Sequence, residues 1–309
     1  MPKHTNTLFV LTGPTGVGKT ELSLVLAEFL CCDIVNADSR QIYAGIPIST
    51  AAPTKEQRAR VPHHLVECLP LDAYYSAAQF EQDALRIVEE QFARSGAALV
   101  CGGAMLYIDA LCKGIDNMPN IDEATRTLLA ERYAYEGLAP LLDELGRLDP
   151  EHRAKVDPHN VRRVLHALEV CYVSGRPYSS FLGKVKGERP FRIVKIGLNR
   201  PREVLFARIN ERVTAMAASG LMDEAERVYP LRHLNSLNTV GMKEAFKVIE
   251  GEWSLDFALD RLRKNTRVYA KKQLTWLAKD TDVHWHSPDD PTAVLRFVAS
   301  QLNIPDHTH

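Results

Sequence analysis

Short apolar runs alternate with amphipathic stretches in the first third of the chain. Leu8–Leu11 predicts a first strand, Glu21–Leu30 a first helix and Asp33–Asn36 a second strand. Ser76 opens a capping-box pattern before another helix, and Ala97–Cys101 has the apolar character of a further buried strand. Strands and helices that alternate in this way predict an α/β fold with a parallel sheet flanked by helices.

The pattern changes between residues 119 and 188. Strand signals vanish there, and helical stretches separated by prolines predict an all-helical inserted subdomain. Phe191–Leu198 regains strand character and is expected to rejoin the sheet. We therefore predict a core made of residues 1–118 and 189–309, with mostly helical C-terminal residues. The tail Ile304–His309 is expected to be disordered.

Composition narrows the class of protein. The 309 residues are 45% hydrophobic and 25% charged, which is typical of a soluble globular protein. The formal net charge is −1, so any contact with nucleic acid requires a local basic surface. The six cysteines form no C-x-x-C pair, and no long apolar segment suggests a membrane span. We expect a cytoplasmic protein with free thiols that acts as a monomer.

A glycine-rich segment directly follows the first predicted strand and fits G-x-x-x-x-G-K-[ST], the loop that wraps a polyphosphate. Its glycines let backbone N–H groups turn towards an anion. Lys19 adds a charge on the phosphates, and the Thr20 hydroxyl is suited to ligate Mg²⁺. A helix beginning at about Lys19 points its positive end at the same anion. The predicted phosphate-binding loop is Gly13-Pro14-Thr15-Gly16-Val17-Gly18-Lys19-Thr20.

Two further segments are expected beside this loop. Because ligands bind beyond the carboxyl ends of parallel strands, Ala37–Gln41 and Gly102–Gly103 should converge there. A carboxylate near polyphosphate is unfavourable unless it serves Mg²⁺ or accepts a proton, so Asp38 is a candidate base; an N-cap is the alternative. The two glycines either admit a ligand close to the backbone or add flexibility. The side chains suited to a base edge or a phosphate are Ser39, Arg40 and Gln41.

A basic run near the C-terminus is the strongest local charge feature. Arg261 to Lys279 contains seven basic residues and no acidic one. Three of them recur at four-residue spacing and share a helix face. Such a run is either a solvated face or a contact for an anion or RNA, and the near-neutral chain favours the contact. The basic face is Arg263, Arg267 and Lys271, and the predicted core positions are Leu259, Leu262, Tyr269 and Trp276.

Two smaller features have competing interpretations. Arg162, Arg163 and His166 line one side of a predicted insertion helix, where RNA contact and ordinary helix surface fit equally well. His63–His64 lacks further ligands at metal spacing. We interpret this pair as a loop or substrate-positioning element and not as a metal site.

Taken together, these segments resemble the tRNA dimethylallyltransferases, also called tRNA isopentenyltransferases, from about Leu8 to Trp285. The phosphate-binding loop alone is shared with many kinases, but D-S-x-Q-x-Y, P-H-H and A-K-[KR]-Q-x-T-W following it in this order are specific. The absence of a zinc-finger extension fits a bacterial-type member. The segments that carry the resemblance after the loop are Asn36–Tyr43, Arg60–Leu65, Gly102–Ile108, Arg163, Ala167–Val170, Val240–Gly241 and Thr266–Trp276.

The resemblance implies a P-loop NTPase-like fold and transfer of a dimethylallyl group from dimethylallyl diphosphate to N6 of the adenosine 3′ to a tRNA anticodon. The loop Gly13–Thr20 would hold the diphosphate leaving group with Mg²⁺, and Asp38 would be the general base. The target base would be flipped out, and the insertion would clasp the anticodon arm. Residues assigned to tRNA binding on this basis are Asp38, Ser39, Arg40, Gln41, Ala104, Arg126, Arg162, Arg163, Arg267, Lys271 and Lys272.

The chain departs from the family pattern at three positions. Ala104 stands where many members have threonine, and Met242 where bacterial members often have tyrosine. Asn238 stands where those members often have arginine, so that phosphate-binding role does not carry over. Lys243 is the nearest basic residue that could replace it.

Three alternatives keep the phosphate-binding loop but change the chemistry. A small-molecule kinase would use Asp38 to deprotonate a hydroxyl, leaving the basic run near the C-terminus unexplained. An enzyme that prenylates free AMP or ADP would not need the long insertion. An NTP-driven RNA-binding switch would need a switch motif that the sequence lacks.

Overall fold

The computed structural model describes residues 6–116, 118–183 and 188–302. In this part of the chain six strands form one parallel sheet in the order β3-β2-β4-β1-β5-β6. The predicted α/β class and its first strands are confirmed within one residue at most ends. The strands are β1 (Thr7–Thr12), β2 (Ile34–Ala37), β3 (His63–His64), β4 (Ala97–Gly102), β5 (Arg192–Leu198) and β6 (Val283–His286).

The helices that accompany this sheet fall into two groups along the chain, one before and one after the insertion. The N-terminal group comprises α1 (Lys19–Leu30), α2 (Pro47–Thr50), α3 (Lys55–Arg60), α4 (Ala77–Ser95) and α5 (Met105–Lys113). The C-terminal group comprises α10 (Arg202–Ala218), α11 (Leu221–Val228), α12 (Met242–Ile249), α13 (Leu255–Leu277) and α14 (Pro291–Gln301). Within the described residues, every helix is too short or too polar to span a bilayer.

Local sequence explains where these elements begin. The predicted capping box of α4 is confirmed, because the Gln79 N–H donates to Ser76 Oγ and the Ser76 N–H donates to Gln79 Oε1. Strand β1 is buried on both faces, as expected for a central strand of a covered parallel sheet. Its side chains pack with those of α1, β4, β5 and α14 in the main core. The central strands therefore form a rigid base for the loops at their carboxyl ends.

A second apolar cluster holds the segment that follows β2. Ile42, Tyr43 and Ile46 pack against residues of α11 and α12, including Ala225 and Met242. This packing fixes the chain immediately after Asp38, so the loop is attached to the C-terminal helices as well as to the sheet.

Residues Lys113–Glu188 form a separate compact unit, whereas the sequence placed the insertion at 119–188. Its described residues contain helices and no strand, in agreement with the predicted loss of strand signals. Leucines such as Leu129, Leu141 and Leu168 build its own core. Its helices are α6 (Glu123–Glu136), α7 (Leu138–Leu148), α8 (Pro150–Lys155) and α9 (Val161–Ser174).

One predicted core face is wrong. Leu262 on α13 is buried, but Tyr269 is 40% exposed and Trp276 is 44% exposed. Helix α13 packs on α10 and α12, and its buried positions include Ala270 and Leu277. Tyr269 and Trp276 each precede a buried position by one residue, which turns them about 100° away from the packed face. The expected disorder of the tail lies outside the described residues.

Candidate active site

The phosphate-binding loop joins β1 to α1, and its glycines are required by close contacts. Gly13 has φ 151° and Gly16 has φ 82°, in the region that glycine adopts without strain. A Cβ at Gly13 would lie 2.7 Å from the Leu198 carbonyl oxygen, and one at Gly16 would lie 2.9 Å from Ile209 Cγ1. Helix α1 begins at Lys19, as the sequence predicted, so its N-terminus faces the loop.

Lys19 is held inside the loop that precedes it. Its Nζ donates hydrogen bonds to the carbonyl oxygens of Gly13 at 2.9 Å and Pro14 at 3.0 Å. Burial of the ammonium, together with the charge of Arg212, lowers the pKa of Lys19 to about 8 against the opposing influence of Cys101 and Asp38. The side chain therefore remains mostly charged at neutral pH and is positioned over the loop.

Asp38 follows β2 and caps the turn after it, which is the alternative interpretation; its role as a base stays a prediction. Its Oδ1 accepts the backbone N–H groups of Arg40 at 2.8 Å and Gln41 at 3.3 Å, as a capping aspartate does. Its Oδ2 accepts no hydrogen bond from a described residue, and the side chain lines the same cavity as Lys19. The turn thus fixes the carboxylate while leaving one oxygen available for chemistry.

Arg40 and Gln41 contact the protein itself. Arg40 donates to the carbonyl oxygens of Asn235 at 2.9 Å and Asn238 at 3.5 Å. The Gln41 amide donates to the carbonyl oxygens of Thr50 and Ala51, both at 3.1 Å. These bonds hold the turn around Asp38. Direct tRNA contact by either side chain stays a prediction.

Gln273 of α13 connects two of the convergent loops. Its side chain is 2% exposed; Oε1 accepts the Thr15 N–H at 2.9 Å, and Nε2 donates to the Gly103 carbonyl at 3.0 Å. A Cβ at Gly103 would lie 2.4 Å from Gln273 Nε2, and one at Gly102 would lie 2.1 Å from the Ala37 carbonyl oxygen. The two glycines are therefore needed for the close approach of protein atoms, a reason that neither interpretation from sequence included.

The loops enclose a cavity of about 250 Å³ at the carboxyl edge of the sheet. The predicted convergence is confirmed, because β2, β4 and β1 are adjacent strands whose following segments all line it. Thr20 and Asp38 contribute a hydroxyl and a carboxylate, which are hard oxygen donors suited to Mg²⁺ alongside phosphate oxygens. Among the described residues, no group of three or more His, Cys, Asp or Glu side chains could hold a metal ion.

Comparison with known proteins identifies the family. A family model described as IPP transferase matches residues 41–280. The chain is 54% identical to tRNA dimethylallyltransferase 1 of Phocaeicola vulgatus, over 96% of this chain and 98% of that protein. It is 52% identical to tRNA dimethylallyltransferase 1 of Bacteroides thetaiotaomicron, over 96% of each. The chain belongs to the tRNA dimethylallyltransferase family.

Solved structures agree with this assignment. The full-length tRNA isopentenylpyrophosphate transferase of Bacillus halodurans matches with a TM-score of 0.69 and 34% identity, over 96% of this chain and 97% of that one. A eukaryotic dimethylallyltransferase, described as acting on tRNA, matches with a TM-score of 0.82 at 24% identity, over 99% of this chain and 82% of that one. The second match supports the fold alone. Both the predicted family and the P-loop NTPase-like fold are confirmed.

Sequence reasoning missed two arginines in the cavity of this family member. Arg208 and Arg212 of α10 line it, and Arg208 Nε donates to the Gly16 carbonyl at 3.1 Å. Burial lowers the pKa of Arg212, while the Asp38 carboxylate raises it. Their four-residue spacing places both on one helix face, the signal applied to α13 but not here. His63 also lines the cavity, with Nδ1 2.8 Å from the Val61 carbonyl oxygen.

The residues assigned to tRNA binding are distributed over several elements. Arg267 and Lys271 lie against α10, since their charged groups are 5.8 and 5.5 Å from the ring centre of Phe206. Lys272 is exposed on the neighbouring face of α13. Ala104 follows β4, where its N–H donates to the Ala37 carbonyl at 3.0 Å. The remaining assigned residues belong to the compact unit Lys113–Glu188: Arg126 on α6, and Arg162 and Arg163 at the exposed start of α9.

Proposed function

We propose that this protein transfers a dimethylallyl group from dimethylallyl diphosphate to the N6 amine of the adenosine 3′ to the anticodon in tRNA, releasing diphosphate. One observation carries the proposal. A phosphate-binding loop and an anchored carboxylate, Asp38, line one cavity in a chain 54% identical to a relative named tRNA dimethylallyltransferase. The protein is a transferase of the tRNA dimethylallyltransferase family, and the kinase alternative is not favoured.

The loop supplies the leaving-group half of the reaction. Backbone N–H groups of Gly13–Thr20 and the α1 N-terminus provide fixed dipoles for the diphosphate. The charged Lys19, which the loop already orients, would stabilise negative charge as the allylic C–O bond breaks. Arg208 and Arg212 add positive charge to the same cavity. The site therefore favours a polyphosphate that gains charge during the reaction.

Mg²⁺ fits this arrangement. The Thr20 hydroxyl would hold it together with diphosphate oxygens, a coordination pattern that Mg²⁺ commonly adopts with phosphorylated substrates. When bound, the ion would neutralise part of the charge on the departing diphosphate. Thr20 is the residue that we assign to the ion, and Asp38 is kept for the acceptor half of the reaction.

Asp38 supplies the acceptor half of the reaction. The adenine amine is a weak nucleophile, because its lone pair is conjugated with the ring. Asp38 would accept an amine proton as the C–N bond forms. Two backbone N–H groups hold Oδ1, so the carboxylate needs little reorganisation. The target base must leave the anticodon stack to reach this cavity, and we propose that it is flipped out.

We assign tRNA contacts to exposed and half-buried residues of both units. On the sheet-containing unit these are Asp38, Ser39, Arg40, Gln41, Ala104, Arg267, Lys271 and Lys272. Arg267 is also held within the protein, because it donates to Asn210 Oδ1 at 3.0 Å. On the insertion, Arg126, Arg162 and Arg163 would bind the anticodon arm. None of the six cysteines, all among the described residues, forms a disulfide. We propose that the protein is cytoplasmic and acts as a monomer.

An acceptor-competition assay tests the proposal. Radiolabelled dimethylallyl diphosphate is incubated with the protein, Mg²⁺ and either tRNA or AMP. Label should enter tRNA and not AMP. Labelled AMP would instead indicate a free-nucleotide prenyltransferase, and ATP consumption without RNA would indicate a kinase.

A further inference from the structure

A tryptophan that the sequence placed in the core lies instead in a basic surface groove on α13. Trp276 is 44% exposed, although burying a large aromatic side chain is strongly favourable. The groove has a volume of about 280 Å³. It is lined by Val268, Lys271, Lys272, Thr275, Trp276 and Lys279, which we call the Trp276 groove.

A hydrogen bond from its ring nitrogen holds the Trp276 indole in place. Trp276 Nε1 donates a hydrogen bond to Asp109 Oδ2 at 3.1 Å, and Asp109 lies on α5, the helix that follows Gly103. This bond uses the only polar atom of the ring, so the exposed area that remains is aromatic surface. A ring that is anchored in this way presents a preorganised apolar plane to solvent.

Three of the residues that line the groove are lysines, and the carboxylate beside the ring is that of Asp109, which holds Nε1. Lys271, Lys272 and Lys279 form no ion pair with any described residue. An aromatic plane beside several free ammonium groups is the combination that binds single-stranded nucleic acid, through base stacking and phosphate contacts. An apolar peptide would not match the three lysines, so RNA is the occupant that the charge favours.

The Trp276 groove and the active-site cavity are both lined by residues of α13. Tyr269 and Gln273 of α13 line the cavity, and Trp276 follows them by seven and three residues. Seven helical residues advance about 10 Å and return to nearly the same side. An RNA strand whose target base enters the cavity therefore brings a neighbouring nucleotide close to Trp276.

We infer that Trp276 stacks on the base of a nucleotide adjacent to the target adenosine, while Lys272 and Lys279 bind nearby phosphates. This inference rests on the proposed function, because the strand is that of the tRNA substrate. Stacking on an indole tolerates any base, so the groove would hold the strand in register without adding strong sequence preference.

Binding measurements with the full chain test the inference. Trp276→Leu should weaken binding of an anticodon stem–loop RNA about tenfold, whereas Trp276→Phe keeps a ring and should lose much less. Trp285→Leu is the matched control, because Trp285 is 42% exposed on β6 and lies outside both cavities. It should bind RNA as the unmodified protein does. The KM for dimethylallyl diphosphate should be unchanged in all three variants.

RNAs with one base removed identify the stacking partner. With an abasic nucleotide on one side of the target adenosine, Trp276→Leu and the unmodified protein should bind equally well. In a chain carrying Trp253→Phe and Trp285→Phe, the fluorescence of the remaining Trp276 should be quenched by intact RNA and not by that abasic RNA. A binding loss that persists with both abasic RNAs, unchanged binding by Trp276→Leu, or absent quenching would overturn the inference. These experiments measure RNA binding only. Failure of the proposed function would appear in a different experiment, the acceptor assay, as tRNA that takes up no label.

Discussion

The glycine-rich loop Gly13–Thr20 and helix α13 line the same cavity, but their sequences specify them differently. In the loop, Gly13 and Gly16 are dictated by backbone conformation and one close neighbour each. In α13, Tyr269 and Gln273 line the cavity because of how the helix packs against its neighbours, and no local motif marks them. The residue order of a phosphate-binding loop is therefore recognisable by itself, whereas the helical wall of the site depends on tertiary packing.

The largest effect is expected from loss of the Asp38 carboxylate. It tests whether the phosphate-binding loop, which follows β1, needs a base from the segment that follows β2 for transfer to occur. Asp38→Asn retains an oxygen that can accept the Arg40 and Gln41 N–H groups but removes the basic carboxylate. We expect the transfer rate to fall by about 10²–10⁴-fold, while dimethylallyl diphosphate still binds. Single-turnover transfer and equilibrium binding of the donor measure the two quantities. Near-normal turnover in this variant would contradict the assigned base.

The next prediction concerns the charge that the loop itself holds. Lys19→Ala should weaken donor binding and slow transfer by about 10²–10³-fold, because a fixed charge on the leaving group is lost. Burial lowers the pKa of Lys19 to about 8, so the ammonium is present below that pH and is lost above it. The kcat/KM for the donor should therefore fall as pH rises through about 8. Lys19→Arg should remove that fall, and a pH profile identical in Lys19→Arg and the unmodified protein would assign the titration to another group.

A smaller effect is expected when the contact between α13 and the phosphate-binding loop is removed. Gln273→Leu leaves the Thr15 N–H and the Gly103 carbonyl without their partner, so the free energy of unfolding should drop by about 1–3 kcal/mol. The KM for the donor should rise, because Thr15 belongs to the phosphate-binding loop. Gln273→Glu keeps the acceptor for Thr15 but turns a buried carboxylate oxygen towards the Gly103 carbonyl oxygen, so it should lose stability as well.

Gln91→Leu is the matched control for that variant. Gln91 is also fully buried, and its Oε1 accepts the Leu99 N–H at 3.4 Å, away from the cavity lining. Its donor KM should be unchanged. Equal KM values for the Gln273→Leu and Gln91→Leu variants would show that α13 does not position the loop.

The smallest effect concerns single charges on the exposed face of α13. Lys272→Ala should reduce the slope of log K for RNA binding against log salt concentration by about 0.7–1, as expected for one lost phosphate contact. Lys264→Ala removes an exposed lysine of the same helix that lies outside the cavity and the Trp276 groove. Titrations at several salt concentrations compare the two variants. A reduction of the same size in both would indicate a diffuse charge effect and no defined contact at Lys272.

The same contrast explains what could be predicted from the sequence. The first strands along the chain, the capping box at Ser76 and the start of α1 at Lys19 are local features, and the structure confirms them. Ordered motifs that span most of the chain predict the family, and the comparisons with known proteins confirm it. The roles of individual site residues stay predictions.

The features that escaped prediction depend on distant contacts. Trp276 was assigned to the core because its helix spacing matched Leu262, but the packed face of α13 lies about 100° away. Arg208 and Arg212 carry no motif, and only the packing of α10 beside the loop brings them into the cavity. Gly102 and Gly103 are explained by Ala37 and Gln273, which are remote from them in sequence.

Mapping of the product tests the central claim most directly. Unmodified tRNA is incubated with dimethylallyl diphosphate, Mg²⁺ and either the unmodified protein or Asp38→Asn, and nuclease fragments are examined by mass spectrometry. The account predicts one dimethylallyl group on the adenosine 3′ to the anticodon with the unmodified protein, and none with Asp38→Asn despite bound donor. A dimethylallyl group elsewhere in the tRNA, or equal modification by both proteins, would contradict it.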